Sequence, residues 1–303
     1  MAQARTILVI GRSGRLARTL VEEAARLGVA VRAIGRPDLD ITKPDLVQRV
    51  VAAEAPSAII NTAGVVIMDE AERDPERAFA VNSEGAGCLA EVANGAGIPL
   101  VHISTDYVFD GNKSTPYVED DPTGAISVYG HSKAAGEQAV LAKYPSAIVA
   151  RTSYVFFPFA SNFLTAMLRL AETQDTVRVV ANQFGTPTSA VDLAQALLLI
   201  AGRLQQDRDR FPGGIYQVAG RGTASWLHFA EAIFAGWARR GHKVPRIEPT
   251  SLADWPGPAK RPRYSPLDCS KVERTFGIRL PPWEQSLEMC LDRIARDQGK
   301  AQP

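Results

Sequence analysis

The sequence predicts an α/β fold: a Rossmann-type, doubly wound parallel sheet with a smaller substrate-binding lobe towards its C-terminal end. Three observations carry this. Short apolar, β-branched runs alternate with amphipathic stretches of helical length. The runs are continuously apolar, as strands covered on both faces are, and do not alternate with a period of two. The first run leads directly into a glycine-containing turn, Gly11-Arg12-Ser13-Gly14-Arg15-Leu16-Ala17.

Taken in order, residues 6–10, 29–34, 58–61 and 99–103 read as strands, and residues 16–27, 44–54 and 75–96 as the helices that follow the first three. Each crossover is expected to be right-handed. Past Thr152 the pattern loosens, through Phe156, Phe157 and Phe159, a helix near 162–172, a strand at 177–180 and Gly185-Thr186-Pro187. Residues 190–203 are again an apolar helix and 214–218 a strand, so the chain returns to the sheet before a final helical region from Trp226 onward, with an irregular Pro- and Arg-rich loop at 256–266. The division expected is a dinucleotide-binding domain of residues 1–155 with 186–219, and a lobe of 156–185 with 220–303.

Bulk properties exclude several function classes. A formal charge of +1, with no basic run or basic face, gives no signal for nucleic acid. Cys88, Cys269 and Cys290 are scattered, odd in number and lack metal-type spacing, which fits a reduced interior without disulfides or a metal site. The first apolar run is too short for a signal peptide, and nowhere do about twenty apolar residues run together. These features read as a soluble, cytoplasmic protein without a membrane partner.

Three segments carry the chemistry. Gly11 and Gly14 let the backbone turn tightly against a pyrophosphate, Arg12, Ser13 and Arg15 stand within that turn, and the helix from Leu16 offers unpaired N–H groups and a positive dipole end. After the second strand the chain offers Arg36 where an acidic residue would bind the ribose of NAD, so NADPH is the preferred cofactor and NADH the second choice. Arg12 adds a second positive charge for the 2′-phosphate. Asp40 and Ile41 are placed at the adenine edge, and Ala63, Gly64 and Val65 follow the third strand where small residues let the cofactor close.

If their segment is helical, Tyr129 and Lys133 lie one turn apart on one face. A phenol titrates near 10, and an adjacent ammonium favours its phenolate. Tyr129 is therefore the expected proton donor to a ketone oxygen, Lys133 the residue that tunes it and holds the nicotinamide ribose, and Thr105, at a strand's carboxyl end, the group that aligns the carbonyl.

These residues resemble the extended short-chain dehydrogenase/reductase superfamily, and in finer detail the dTDP-4-dehydrorhamnose reductases, over almost the whole chain. The matching segments are VHISTDYVFDG at 101–111, TPY at 115–117, EDDP at 119–122, Val128-Tyr129-Gly130 with Ser132-Lys133, Arg151-Thr152-Ser153, Asn162-Phe163, GTPT at 185–188 and Arg261-Pro262. The resemblance implies reduction of the 4-keto group of a dTDP-linked 6-deoxyhexose. It implies Thr105, Tyr129 and Lys133 as the catalytic set, with Asp106 near the sugar, Tyr154 where the family carries Trp, a nucleotide-sugar substrate and room for a homodimer. Two loops depart from the family: Gly64-Val65-Val66-Ile67-Met68-Asp69 replaces a Tyr- and Thr-containing segment, and Phe156 to Phe159 replace a glycine-containing one. Those aromatics either line a more apolar substrate pocket or pack the lobe.

A dehydratase of the superfamily needs a second acid where Tyr107 stands. A sugar-nucleotide epimerase shares the Tyr and Lys, and a non-catalytic dinucleotide-binding subunit, like the regulatory subunit of methionine adenosyltransferase, shares the fold. These are the alternatives.

Overall fold

Apolar runs of four to six residues cannot bury both faces alone, so they pair edge to edge beneath helices. In the computed structural model, which describes residues 6–300, the first half runs β1 (Ile7–Ile10), α1 (Arg15–Leu27), β2 (Val31–Ile34), α2 (Pro44–Glu54), β3 (Ala58–Asn61), α3 (Met68–Arg73), α4 (Pro75–Phe79), a π-helical segment (Ala80–Gly85), α5 (Ala86–Gly95), β4 (Leu100–Thr105), a 3₁₀ turn (Asp106–Val108), α6 (Val128–Lys143) and β5 (Ile148–Thr152). The second half continues β6 (Val155–Phe156), α7 (Phe163–Thr173), β7 (Thr176–Val180), β8 (Phe184–Gly185), β9 (Thr188–Ser189), α8 (Ala190–Gln206), β10 (Gly214–Gln217), β11 (Ala224–Ser225), α9 (Trp226–Arg239), β12 (Arg246–Thr250), a 3₁₀ turn (Leu252–Asp254), α10 (Ser270–Phe276) and α11 (Trp283–Lys300).

The sheet has six strands in the order β10-β5-β4-β3-β1-β2, every pair parallel. Strand order reverses between β1 and β3, and a crevice for a ligand opens beyond the carboxyl ends at such a reversal. One face buries Val9, Leu20, Ile60, Leu197 and Tyr216 beneath α1 and α8. The other buries Leu8, Val51, Ile59, Leu89 and Val149 beneath α2 and α5. A separate apolar core in the second half gathers Phe156, Leu164, Phe229, Trp237, Trp283 and Leu291.

Two segments differ from the sequence reading. The single helix expected at 75–96 is broken into α4, the π-helical segment and α5. The wider turn accommodates the buried Asn82, whose amide accepts from Val65 N–H at 2.8 Å and donates to Val65 C=O at 3.0 Å and Ser132 Oγ at 2.9 Å. The region after Trp226 is not wholly helical, because β12 pairs in parallel with β7. Its Pro249 is tolerated because a two-stranded ribbon is all edge.

Candidate active site

Each strand delivers a functional segment to the crevice. Gly11, after β1, has φ +106°, and a Cβ there would lie 2.9 Å from Thr62 Oγ1, so only glycine lets the turn pass beneath the loop after β3. Gly14 caps α1 without a side-chain hydrogen bond, and the first turn carries no acidic residue, so its N–H groups are left for an anion.

A cavity of about 360 Å³ opens over this turn, lined by Gly11, Ser13, Gly14, Arg36, Asp40, Ile41, Ala63, Gly64 and Val65. Nine of the expected cofactor residues thus meet around one space. Arg12 turns outward to pair with Asp38 at 2.5 Å. The Asp40 carboxylate accepts from Thr42 N–H at 3.0 Å and Thr42 Oγ1 at 2.8 Å, bonds that hold its pKa below the ordinary carboxylate value. Arg15 and Leu16 face a neighbouring cavity of about 410 Å³.

That second cavity is lined by Thr105, Asp106, Tyr107, Tyr129, Tyr154, Phe157 and Trp226, among others. Ser127 caps α6 by accepting from Gly130 N–H at 3.1 Å, which starts the helix just before Tyr129. Tyr129 packs edge-on against Tyr107, with centroids 6.0 Å apart. Burial pushes the Tyr129 phenol up to about 12, a hydrogen bond with Thr105 pulling the other way and the charge of Asp106 adding to the rise. Its proton is therefore retained at neutral pH.

Thr105 Oγ1 accepts from Tyr107 N–H at 3.2 Å and donates to Asp106 Oδ1 at 3.2 Å. Asp106, expected beside the sugar, borders the cavity but is only 2% exposed. Its Oδ2 accepts from Ser153 at 2.9 Å and Ser265 at 2.5 Å, so as placed it braces β4, β5 and the Ser265 loop together. Burial raises its carboxyl to about 6 against those hydrogen bonds.

Lys133 is 4% exposed behind this wall, its Nζ donating to Ile103 C=O at 2.6 Å. Burial lowers its pKa to about 8, with Glu137 opposing. Glu137 is itself saturated, accepting from Arg151 Nε at 2.8 Å, Arg151 Nη2 at 2.6 Å and Ser104 Oγ at 2.5 Å.

Several lining residues gave no local signal in the sequence. Trp226 stacks on Tyr154 at 4.0 Å, and its indole donates to Gln183 Oε1 at 3.1 Å, which orients the Gln183 amide to donate to Tyr107 Oη at 3.2 Å. The three aromatics of the replaced loop divide their work. Phe156 packs the second-half core, while Phe157 lines the cavity beneath the Arg15 guanidinium, which also donates to Ser161 C=O. A third cavity of about 480 Å³ adjoins, where Arg15, Arg178 and Arg261 converge with Trp226, Trp255 and Gln183. None of these three arginines pairs with a carboxylate among the described residues.

Fold and site together define a dinucleotide-dependent oxidoreductase of the short-chain dehydrogenase/reductase class. Within that class, residues 5–296 match the RmlD substrate binding domain family, and the chain belongs to it. It is 44% identical over 280 residues to the dTDP-4-dehydrorhamnose reductase of Sinorhizobium fredii, covering 92% of this chain and 94% of that one. The dTDP-4-dehydrorhamnose reductase of Burkholderia thailandensis is 38% identical, covering 94% and 97%. Among solved structures, the Bacillus anthracis dTDP-4-dehydrorhamnose reductase in complex with NADP superposes with a TM-score of 0.87 at 31% identity, covering 96% and 100%. The Thermus thermophilus UDP-glucose 4-epimerase, at 19% identity and TM-score 0.78, shares the fold.

No helix among the described residues is long and apolar enough to cross a membrane. No cluster of three or more His, Cys, Asp or Glu there could hold a metal ion.

Proposed function

We propose that the protein reduces the 4-keto group of a nucleotide-linked 6-deoxyhexose, dTDP-4-dehydro-L-rhamnose to dTDP-L-rhamnose, with NADPH preferred over NADH. The observation that carries this is the junction of two cavities: the one bearing Thr105 and Tyr129 shares Gly14, Thr62 and Gly64 with the one over the glycine turn. The full-length reductase relatives support the same reading.

The residues fit a dinucleotide. The uncapped N-terminus of α1 and the bare Gly11 turn suit a pyrophosphate, and Arg36 borders the same cavity where a 2′-phosphate would lie. The exposed Arg12–Asp38 pair is worth under about 1 kcal/mol, so Arg12 is free to turn towards that phosphate. The bound cofactor supplies a hydride. Tyr129 gives its phenolic proton to the ketone oxygen, Thr105 orders that phenol, and Asp106 holds Thr105 in place. Lys133 returns a proton to Tyr129 and holds the nicotinamide ribose. Arg15, Arg178 and Arg261 suit the substrate's diphosphate, and Trp255, 45% exposed at the rim, offers a stacking face for its base.

The division into residues 1–155 with 186–219 and 156–185 with 220–303 belongs to the same proposal, supported by the separate core of Phe156, Phe229 and Trp283.

The test is loss of reduced-nicotinamide absorbance with dTDP-4-keto-6-deoxy-L-mannose, comparing NADPH with NADH. Tyr129→Phe should lower kcat by at least about 100-fold. No oxidation by the wild-type protein, or an undiminished rate in the variant, would overturn the reading.

A further inference from the structure

His102 is fully buried in β4, three residues before Thr105, and no step so far uses it. It lies directly opposite Asn61 of β3 in the sheet register. Asn61 is oriented by a second contact, its Oδ1 accepting from Ala63 N–H at 3.1 Å. Its Nδ2, which can only donate, therefore faces His102 Nδ1 at 3.0 Å. Nδ1 must present a lone pair, and a neutral imidazole then carries its proton on Nε2. Burial, with Lys133 nearby, holds this histidine neutral, well below its ordinary pKa.

His102 Nε2 lies 3.4 Å from Lys133 Nζ. An ammonium has three donors and no acceptor, and one donor is already spent on Ile103 C=O. A charged Lys133 thus meets a second donor head-on, whereas a neutral amine accepts it. We infer that His102, locked by Asn61 in the tautomer with Nε2–H, is a positioning residue that biases Lys133 towards releasing its proton to the catalytic tyrosine. The inference rests on the reductase reading.

The other groups around Lys133 do not undo this bias. Glu137, one turn further along α6, favours the ammonium, but Arg151 of β5 and Ser104 of β4 occupy its carboxylate. From β3 only the uncharged Asn61 reaches this chain, and Asn82 of the π-helical segment is engaged with Val65 and Ser132. The proton balance is complete. The Tyr129 proton passes to the ketone oxygen as the carbon is reduced, the phenolate takes a proton from the Lys133 ammonium, and the amine left behind accepts from His102 Nε2–H until solvent reprotonates it.

Two variants and one direct observation test this. His102→Gln can turn an amide oxygen to Lys133. Asn61→Asp accepts from Nδ1–H and so leaves the Nε2 lone pair facing the ammonium. Both should move the basic limb of the kcat–pH profile upward by about one pH unit, with the thermal transition measured alongside to confirm folding. In the wild-type protein, nitrogen-15 NMR of the four histidines, with His102→Gln supplying the assignment, should show the Nε2-protonated tautomer for His102. An Nδ1-protonated tautomer, or an unmoved basic limb in both folded variants, would overturn the inference while NADPH oxidation still upheld the reductase. Absence of ketone reduction by the wild-type protein would sink both.

Discussion

Asp106 ties the stability of the fold to pH. Its carboxyl is raised from 3.8 to about 6 because burial outweighs the hydrogen bonds from Ser265, Ser153 and Thr105. The fold therefore prefers the neutral acid. This stabilisation is fully present below pH 3.8 and is lost as the pH rises through about 6, a swing of about 3 kcal/mol. Asp106→Asn removes the ionisation, so its melting temperature relative to wild type should be higher at pH 8 than at pH 4.5, as thermal melts at the two pH values will read. A difference that stays constant with pH would mean that Asp106 does not titrate in this range. Thr105 reads in the sequence as a strand-end hydroxyl, whereas the brace around Asp106 joins Ser153 and Ser265, residues 47 and 159 positions away. No local spacing announces that.

At the scale of elements, the site depends on how closely α6 approaches the end of β4. A Cβ at Gly130 would lie 2.2 Å from Tyr107 C=O, so any larger residue pushes the helix outward and carries Tyr129 with it. Gly130→Ala should cost about 1 to 3 kcal/mol and lower kcat more than it raises KM, since Tyr129, the proposed proton donor, is displaced while the binding cavity stays open. Chemical denaturation and steady-state kinetics check the two halves. Beneath the same helix the Glu137–Arg151 pair is 2–3% exposed. Glu137→Gln leaves the Arg151 guanidinium buried without its counter-charge, at a cost of about 3 to 5 kcal/mol by urea unfolding. A cost under about 1 kcal/mol would show that water reaches the arginine. The four-residue spacing of Tyr129 and Lys133 puts them on one face once α6 is helical, as it is. The break at the π-helical segment is not legible in the sequence, because it answers to Asn82 meeting Val65 and Ser132 across the fold.

At the scale of the whole molecule, segments from both halves of the chain meet at one cavity. Arg15 begins α1 beside the glycine turn, yet its guanidinium lies over Phe157, while Arg178 and Arg261 come from β7 and the late loop to the same cavity. Charge-assisted hydrogen bonds of the kind each arginine would give a diphosphate are worth about 1.5 to 3 kcal/mol. Arg178→Ala and Arg261→Ala should therefore each raise KM for the nucleotide-sugar by about ten- to a hundredfold with KM for NADPH unchanged. Equal losses for both substrates would place these residues in the general stability of the fold.

The sequence by itself determined the alternation of strands and helices and the glycine turn after β1, because each is written in local periodicity or short fixed spacing, and it nominated the Thr105, Tyr129 and Lys133 set. The tertiary structure alone decided that β12 pairs with β7 through a proline-bearing edge, that the Asn61 amide faces His102 Nδ1, and that three arginines from separate segments share one cavity. Those features arise from contacts between residues far apart in the chain, and a contact of that kind leaves no period or spacing in the sequence to be read.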